Sequence, residues 1–324
     1  MPGNLVLRLF QNDDDYTQLA DILAASERAD QVMISISTAE IRERLSQSQN
    51  FDIRHDLAIV EVDSEAVGYG RIRWVDEPTQ RIYWLTGFIR PEWRGRGFGH
   101  ALLRWLEDRS RAISKEQITP KGGSFQINTT QYQVGLHALA NQCGYKVKES
   151  WVLMVRPNLE DIPDIPLPKG LEVRPVLPEQ FSNIWYAVEE AYVSEGGPPP
   201  QGVIPEEIKN DPNFQPGLWQ VAWEEGTEKV VGSVMAYINH AENKQLGILR
   251  GYTEGISTVP AWQKRGVAKA LIMRSLKVQR EAGLTESALV CSGEKPENYR
   301  LYANCGFKEV KRDTVYEKPL IGTH

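Results

Sequence analysis

The chain is poor in cysteine, in long apolar runs and in excess positive charge, and each shortage removes a class of function. Its 324 residues hold three cysteines, Cys143, Cys291 and Cys305. They are too few and too scattered for a disulfide framework or a zinc site, so a reducing, cytoplasmic setting and no metal are expected. No stretch approaches the ~18 apolar residues that cross a bilayer. The start, Met1-Pro2-Gly3-Asn4-Leu5, has no basic segment followed by an apolar one, so no signal peptide is expected. Against 37 Lys and Arg stand 43 Asp and Glu, a net charge of −6. That balance lacks the basic footprint a nucleic-acid partner requires. No Gly-x-x-x-x-Gly-Lys-Ser/Thr run exists, which excludes a P-loop, and His100 occupies the place of the third glycine that a dinucleotide fingerprint beginning at Gly95 would need.

What the chain does hold is a repeated turn. Val259-Pro260-Ala261-Trp262-Gln263-Lys264-Arg265-Gly266-Val267-Ala268 follows the apolar run Ile256 to Val259 and opens a helix-patterned segment near Gly266. A strand that enters a basic, glycine-bearing turn and then a helix N-terminus is a setting for anions. Unpaired backbone N–H groups point outward, and the positive end of the helix dipole reinforces them. Gly266 lets a phosphate approach without a Cβ in the way, and Lys264 and Arg265 add charge at the rim. Upstream, Arg90-Pro91-Glu92-Trp93-Arg94-Gly95-Arg96-Gly97-Phe98-Gly99 repeats this turn at an offset of 169, which pairs Pro91 with Pro260, Trp93 with Trp262, Arg94 with Gln263 and Gly97 with Gly266. The ends of the halves match at an offset of 162: Leu139 with Leu301, Cys143 with Cys305, Gly144 with Gly306 and Tyr145 with Phe307. Ala140, however, stands against Tyr302. Such self-similarity predicts two copies of one domain.

Taken in order, the patterning predicts strands over Leu5–Leu9, Leu57–Val62, Val67–Val75 and Ile82–Ile89, then the first turn and its helix, then strands over Ser124–Thr129 and Val147–Val155. Helices are expected around Leu19 to Leu23, over Ala39–Leu45 and over Val134–Asn141. Pro157, Pro163, Pro166 and Pro168 mark a semi-rigid linker at 158–168 between domains 1–157 and 169–324. The second half repeats the plan with strands over Leu171–Val173, Leu218–Trp223, Val230–Ile238, Tyr252–Val259, Ala288–Cys291 and Val310–Glu317, the last of which is expected to close its own sheet. Helices are expected over Pro178–Tyr192, from Gly266 onward and over Glu297–Asn304. Gly196 to Pro200 reads as a mobile loop. Period two places Glu254, Ile256 and Thr258 on one strand face.

Gln263-Lys264-Arg265-Gly266-Val267-Ala268 and Arg94-Gly95-Arg96-Gly97-Phe98-Gly99 both fit the Gln/Arg-x-x-Gly-x-Gly/Ala pattern, and Leu301-Tyr302-Ala303-Asn304-Cys305-Gly306-Phe307 fits a second signature of the same family. On these residues the chain resembles the GCN5-related N-acetyltransferase (GNAT) family, in a tandem arrangement similar in architecture to mycothiol synthase. The resemblance implies an α+β fold: two tandem domains, each a mixed, mostly antiparallel splayed sheet flanked by helices. It also implies acetyl-CoA as donor and a small-molecule primary amine as acceptor. The cofactor would lie along Ile256, Ser257 and Thr258 and on Gln263, Lys264, Arg265, Gly266, Val267 and Ala268, with Asn298 nearby; the first turn, Arg94 to Gly99, would be its counterpart. A backbone N–H near Ile256 or Ser257 would stabilise the oxyanion. Tyr302 would be the general acid. Glu254 is a candidate base, with Glu190 or a loop residue as alternatives. Ala140 cannot donate a proton, so the first half is expected to be degenerate unless His137 substitutes. Cys305, matched by Cys143 in the degenerate half, is expected to be structural. Glu189, Glu190 and Glu195 would suit a cationic acceptor. The competing reading is a non-catalytic acyl-CoA-binding or sensing protein.

Overall fold

The elements follow the patterning closely. The computed structural model describes residues 4–31, 37–117, 122–193 and 198–320. The first half runs β1 (Leu5–Leu9), α1 (Asp14–Ala29), α2 (Thr38–Ser46), β2 (Leu57–Val62), β3 (Glu65–Asp76), β4 (Arg81–Ile89), α3 (Phe98–Glu116), β5 (Gly123–Thr130), α4 (Val134–Gln142) and β6 (Lys146–Arg156). The second runs β7 (Leu171–Val173), α5 (Phe181–Val193), α6 (Glu206–Lys209), β8 (Gln220–Glu224), β9 (Val230–Tyr237), α7 (His240–Leu246), β10 (Arg250–Thr258), α8 (Val267–Glu281), β11 (Glu286–Ser292), α9 (Pro296–Ala303) and β12 (Lys308–Pro319). α6 and α7 had no counterpart in the expectation, being too short to show a helical period. The hairpin from β2 to β3 turns through Asp63 and Ser64 at φ 50° and 70°, a conformation whose twist matches that of the flanking strands.

The chain forms two compact units. One holds Met1–Ser150 together with Arg312–His324, the other Trp151–Lys311. In the first unit the strands lie in the order β1-β2-β3-β4-β5-β12, antiparallel except for the parallel pair β4–β5. In the second the order is β7-β8-β9-β10-β11-β6, with β10–β11 the parallel pair. The plan is the same, but the closing strands come from the opposite halves of the sequence. Trp151 to Arg156 pair with β11, and Asp313 to Pro319 pair with β5. This corrects the expectation that each half closes its own sheet. Apolar alternation states which face a strand buries, not which sheet edge it joins. The proline-rich stretch after β6 holds neither helix nor strand, and it is not a free linker. Leu159 is buried in the second unit's core, and Asp164 pairs with Lys277 on α8 at 2.5 Å.

Each unit packs its long helix on one face of its sheet. α3 sets Leu102, Leu103, Leu106 and Ile113 against Ala58, Tyr83 and Phe125; α8 sets Leu271, Ile272 and Leu276 against Val231, Val234 and Leu289. The opposite faces bury Leu19, Ile22 and Leu23 of α1 in the first unit and Ile184, Ala187 and Val188 of α5 in the second. Each such leucine, isoleucine or valine contributes roughly 1.5–3 kcal/mol. Among the described residues no helix is long and apolar enough to cross a membrane.

Candidate active site

The ladder between β9 and β10 breaks where the chemistry-bearing residues stand. Glu254 lies opposite Met235 and Ser257 opposite Ser233, so two residues on β10 face one on β9, a β-bulge at Gly255 and Ile256. Glycine is required there: φ is +57°, and a Cβ would come within 2.8 Å of Met235 Cβ. The bulge overturns the period-two expectation. Glu254 and Ser257 now share the face toward Met235 and α5, whereas Ile256 packs against the α8 side. Just before the bulge β10 also parts from β11, with which it pairs only from Arg250 to Tyr252. Glu254 reaches across the gap, and its Oε1 accepts the Val290 N–H at 2.8 Å. Burial pushes the Glu254 carboxyl up to about 7, against the opposing pull of that hydrogen bond. On the same face Tyr237 and Tyr252 stack, with ring centroids 4.9 Å apart, and Tyr252 donates to Glu242 at 2.7 Å. The Tyr237 phenol is pushed up by burial and then by Glu254, Tyr252, Glu242 and Asp211.

The turn after β10 is held by its own side chains. The Gln263 amide donates to the Thr258 carbonyl at 3.2 Å, and Arg265 lies over the Trp262 ring at 5.0 Å. Lys264 takes a left-handed φ of 59°, unusual for a side-chain-bearing residue. Gly266 precedes α8 at φ 89°, and a Cβ on it would meet nothing within 4 Å. The backbone conformation, not crowding by neighbours, therefore calls for glycine. α8 has no side-chain cap and no acid in its first turn, so its leading N–H groups face outward. Val267 is buried and can offer only backbone to a ligand. The first turn reproduces this residue by residue. Arg94 donates to the Ile89 carbonyl at 3.0 Å, Arg96 lies over Trp93 at 4.7 Å, and Gly95 and Gly97 have φ of 74° and 89°. It departs in one respect: Arg94 is also paired bidentately with Asp30, at 2.6 and 3.0 Å.

Tyr302 is carried by α9 and is 7% exposed, within the core beside Cys305 and Phe307. Asn298 lies half-buried on the same helix. Gly306, at φ +88°, leaves no room for a Cβ because the Arg156 guanidinium occupies it while donating to the Cys305 carbonyl. Burial raises the Cys305 thiol to about 11, so it remains neutral. Phe307 N–H bonds to the Tyr302 carbonyl as Tyr145 N–H bonds to that of Ala140, so Ala140 and Tyr302 are structural counterparts. His137 has both ring nitrogens engaged, Nδ1 with the Tyr316 hydroxyl and Nε2 with the Thr130 carbonyl, each at 3.0 Å. That arrangement braces α4 and leaves no nitrogen for proton transfer. Glu189 accepts from the N–H groups of Gln201 and Gly202 at 2.7 and 2.8 Å and so shapes a loop, not an acceptor site. Glu190 is exposed. Glu195, Gly196 and Gly197 lie outside the described residues.

The first unit lacks more than the tyrosine. Its two ladders start in step with those of the second at the turn, Gly68 opposite Ile89 and Gly232 opposite Thr258. Three residues further along, Met235 faces Glu254 but Arg71 faces Thr86. The counterpart of Glu254 is therefore Thr86, and β4 has no bulge against β3. A cavity of about 830 Å³ nevertheless opens in this unit beside the turn, between β4, α3, β5 and α4. No group of three or more His, Cys, Asp or Glu among the described residues is placed to hold a metal.

The acetyltransferase (GNAT) family profile matches residues 19–119 and 183–307. A mycothiol acetyltransferase from Pseudarthrobacter chlorophenolicus is 26% identical over 246 residues, covering 75% of this chain and 72% of its own. Another from Nocardia farcinica is 24% identical over 326 residues, covering 97% and 98%. Among solved structures, a GCN5-related N-acetyltransferase from Sphaerobacter thermophilus aligns with 100% of this chain and 98% of its own, at a TM-score of 0.67 and 21% identity. A tandem GNAT protein from the clavulanic acid biosynthesis pathway aligns with 99% and 100%, at 0.59 and 11%. At such identities the structural likenesses speak for the fold. The two profile matches fall on two units of one strand plan, and the chain belongs to the GNAT family as a tandem, two-domain N-acetyltransferase of a family that uses acyl-CoA donors.

Proposed function

We propose that the second sequence repeat, 169–324, transfers an acetyl group from acetyl-CoA to a primary amine of a small molecule, and that the first, 1–157, performs no chemistry. The observation that carries this reading is the break in the sheet around Gly255, where β10 bulges against β9 and, beyond Tyr252, no longer pairs with β11, so that Glu254 reaches across the gap ahead of the glycine turn. The diphosphate of the donor would lie on the outward N–H groups from Lys264 to Ala268. Its pantetheine arm would run beside Ile256, Ser257 and Thr258, as an added strand does. Glu254, with a carboxyl poised near 7, takes the proton from the acceptor ammonium. The freed amine attacks the thioester carbonyl, the C–N bond forms and the C–S bond breaks. A bulge N–H, Ile256 or Ser257, stabilises the charge that develops on oxygen. Tyr302 gives its phenolic proton to the departing thiolate. The carboxylates grouped around Tyr237 favour an acceptor that arrives as a cation. The relatives' printed name, mycothiol acetyltransferase, supports a small-molecule acceptor.

Titration calorimetry with acetyl-CoA tests the donor assignment. A site lost in Gly266→Glu is expected; binding untouched by that substitution would place the donor elsewhere.

A further inference from the structure

Behind Glu254, on the other face of β10, lies a buried polar cluster. Successive strand residues point to opposite faces, so Thr253 turns toward α8 while Glu254 turns toward α5. There Thr253 meets Ser275, Gln279 and Ser287, and all four are 0% exposed. The Gln279 amide donates to the Thr253 hydroxyl at 2.8 Å and to the Ser275 hydroxyl at 3.2 Å. The Thr253 hydroxyl is left to donate to Ser287 Oγ, 2.8 Å away on β11. Gly251 makes the room, since a Cβ on it would strike the Gln279 amide. The first unit fills the same place with apolar side chains. Counted from the two glycine turns, Leu106 and Ser110 stand where Ser275 and Gln279 do, and Ser110 bonds back to the Leu106 carbonyl at 2.8 Å. The strand registers set Leu85 at the place of Thr253, Phe125 at that of Ser287 and Tyr83 at that of Gly251. There too the parallel ladder stops, after Trp84 and Gln126, so the fold parts these strands without polar help. Polar groups buried where hydrocarbon also fits carry a desolvation cost. Among the described residues Gln279 Oε1 has no partner to offset it. The unit that bears this cost is the one that keeps Glu254 and Tyr302.

We propose that Thr253 and Ser287, held by Gln279, are positioning residues that clamp β10 to β11 where their ladder stops and so fix where Glu254 stands in the gap. This rests on the reading of Glu254 as the base. The last backbone pair between the strands is Tyr252 with Ala288. One residue on, the hydroxyl bridge takes over from the ladder. One residue further, Glu254 spans to the Val290 N–H at 2.8 Å. On the other side the register against β9 shifts between Glu254 and Ser257, so the backbone ladder gives Glu254 little support from either neighbour. Without the bridge the gap loosens, water reaches the carboxyl, and its oxygen leaves the line to the acceptor nitrogen. A misplacement of about 1 Å lowers a rate by up to roughly 100-fold.

The experiment is Thr253→Val in the full chain, which removes the hydroxyl and keeps the branched shape, with thiol-release kinetics across pH. kcat is expected to fall roughly 10–100-fold, with KM for acetyl-CoA within about twofold of wild type. The rising limb should move from about 7 toward the ordinary 4.5 as water reaches the carboxyl. Ser287→Ala should do the same, Thr253→Ser should restore both readings, and the two losses combined should be no worse than either alone. On Glu254's own face the titratable groups are Tyr237 and Tyr252, with Glu242 and Asp211 beyond them; α5 adds Glu189 and the exposed Glu190, and the substitutions leave all six in place. A rate that falls while the limb stays put is the mark of a structural role alone and overturns the proposal. So do unchanged kinetics in either variant, or Thr253→Ser no better than Thr253→Val. Thermal melts verify folding, and Ser287→Ala carries the test if Thr253→Val does not fold. Glu254→Gln keeps the two failures apart. If that chain retains the rate and the limb, the base reading falls and the clamp with it; if it loses both while Thr253→Val retains both, the clamp alone falls.

Discussion

Glu254→Gln removes a charge while keeping the shape of the side chain, and its effects on stability and rate should have opposite signs. In the wild-type chain burial raises the carboxyl from 4.5 to about 7. The folded chain therefore holds this proton more tightly than the unfolded chain does. Below 4.5 both states are protonated and the group is neutral in the balance. As pH rises toward 7 the unfolded state ionises first, stability falls, and the deficit is complete above 7. The difference corresponds to about 3 kcal/mol at most. Glutamine cannot ionise, yet its oxygen can still accept the Val290 N–H that Glu254 accepts at 2.8 Å. The variant should be more stable than wild type at about pH 8, by up to ~3 kcal/mol, and equal to it at about pH 4. Its transfer rate should fall by roughly 10²–10⁴, the span of a general base, and the rate should no longer rise through pH 7. Urea unfolding of both chains at the two pH values, beside thiol-release kinetics across the range, measures all of this. An equal stability difference at both pH values, with the rising limb intact, would refute both the raised carboxyl and its role.

Other substitutions separate the remaining parts. Tyr302→Phe keeps the ring in the core and should leave acetyl-CoA affinity unchanged while turnover drops by ~10² or more; undiminished turnover would remove Tyr302 from the chemistry. Gly255→Ala forces a Cβ against Met235 at positive φ; it should cost about 1–2 kcal/mol of stability and lower kcat more than it weakens donor binding, and wild-type kinetics would mean the bulge does not set the gap. Glu27 is buried, its Oε2 has no hydrogen-bond partner, and burial raises its carboxyl to about 7. Glu27→Gln should therefore stabilise the chain above pH 7, do nothing below 4.5 and leave the transfer rate alone; a variant no more stable at pH 8 would show that the carboxylate finds a partner in solution.

The parts legible in the sequence are the local ones. The turn shows because Pro260, Trp262, Gln263 and Gly266 sit within seven positions and their spacing recurs at Pro91. The Cys-Gly-aromatic ending shows for the same reason, although that Gly306 yields to Arg156 depends on a residue 150 positions away. The bulge is hidden because Gly255 sits inside an otherwise regular strand pattern, where period-two counting runs straight through it. Gly255 itself is the available signal, since an isolated glycine within a strand pattern marks a bulge or a close backbone approach. The roles of Glu189 and His137 depend on partners brought in by the fold, Gln201, Gly202 and Tyr316. The crossing of β6 and β12 is the most non-local feature, and neither strand's composition marks its destination.

That crossing bears on how the protein is made. The strand completing the first unit begins at Arg312, roughly 160 residues after that unit's earlier portion ends at Ser150. At about 5–20 residues per second a ribosome needs roughly 10–30 s to supply it. Throughout that time the β5 edge, with Phe125 and Ile127 already in place, has no β12 to cover it. An open edge of this kind invites pairing with another nascent chain. The N-terminal unit, though first to emerge, is thus among the last to be finished, and a chaperone that shields strand edges would raise its yield more than one that only speeds collapse.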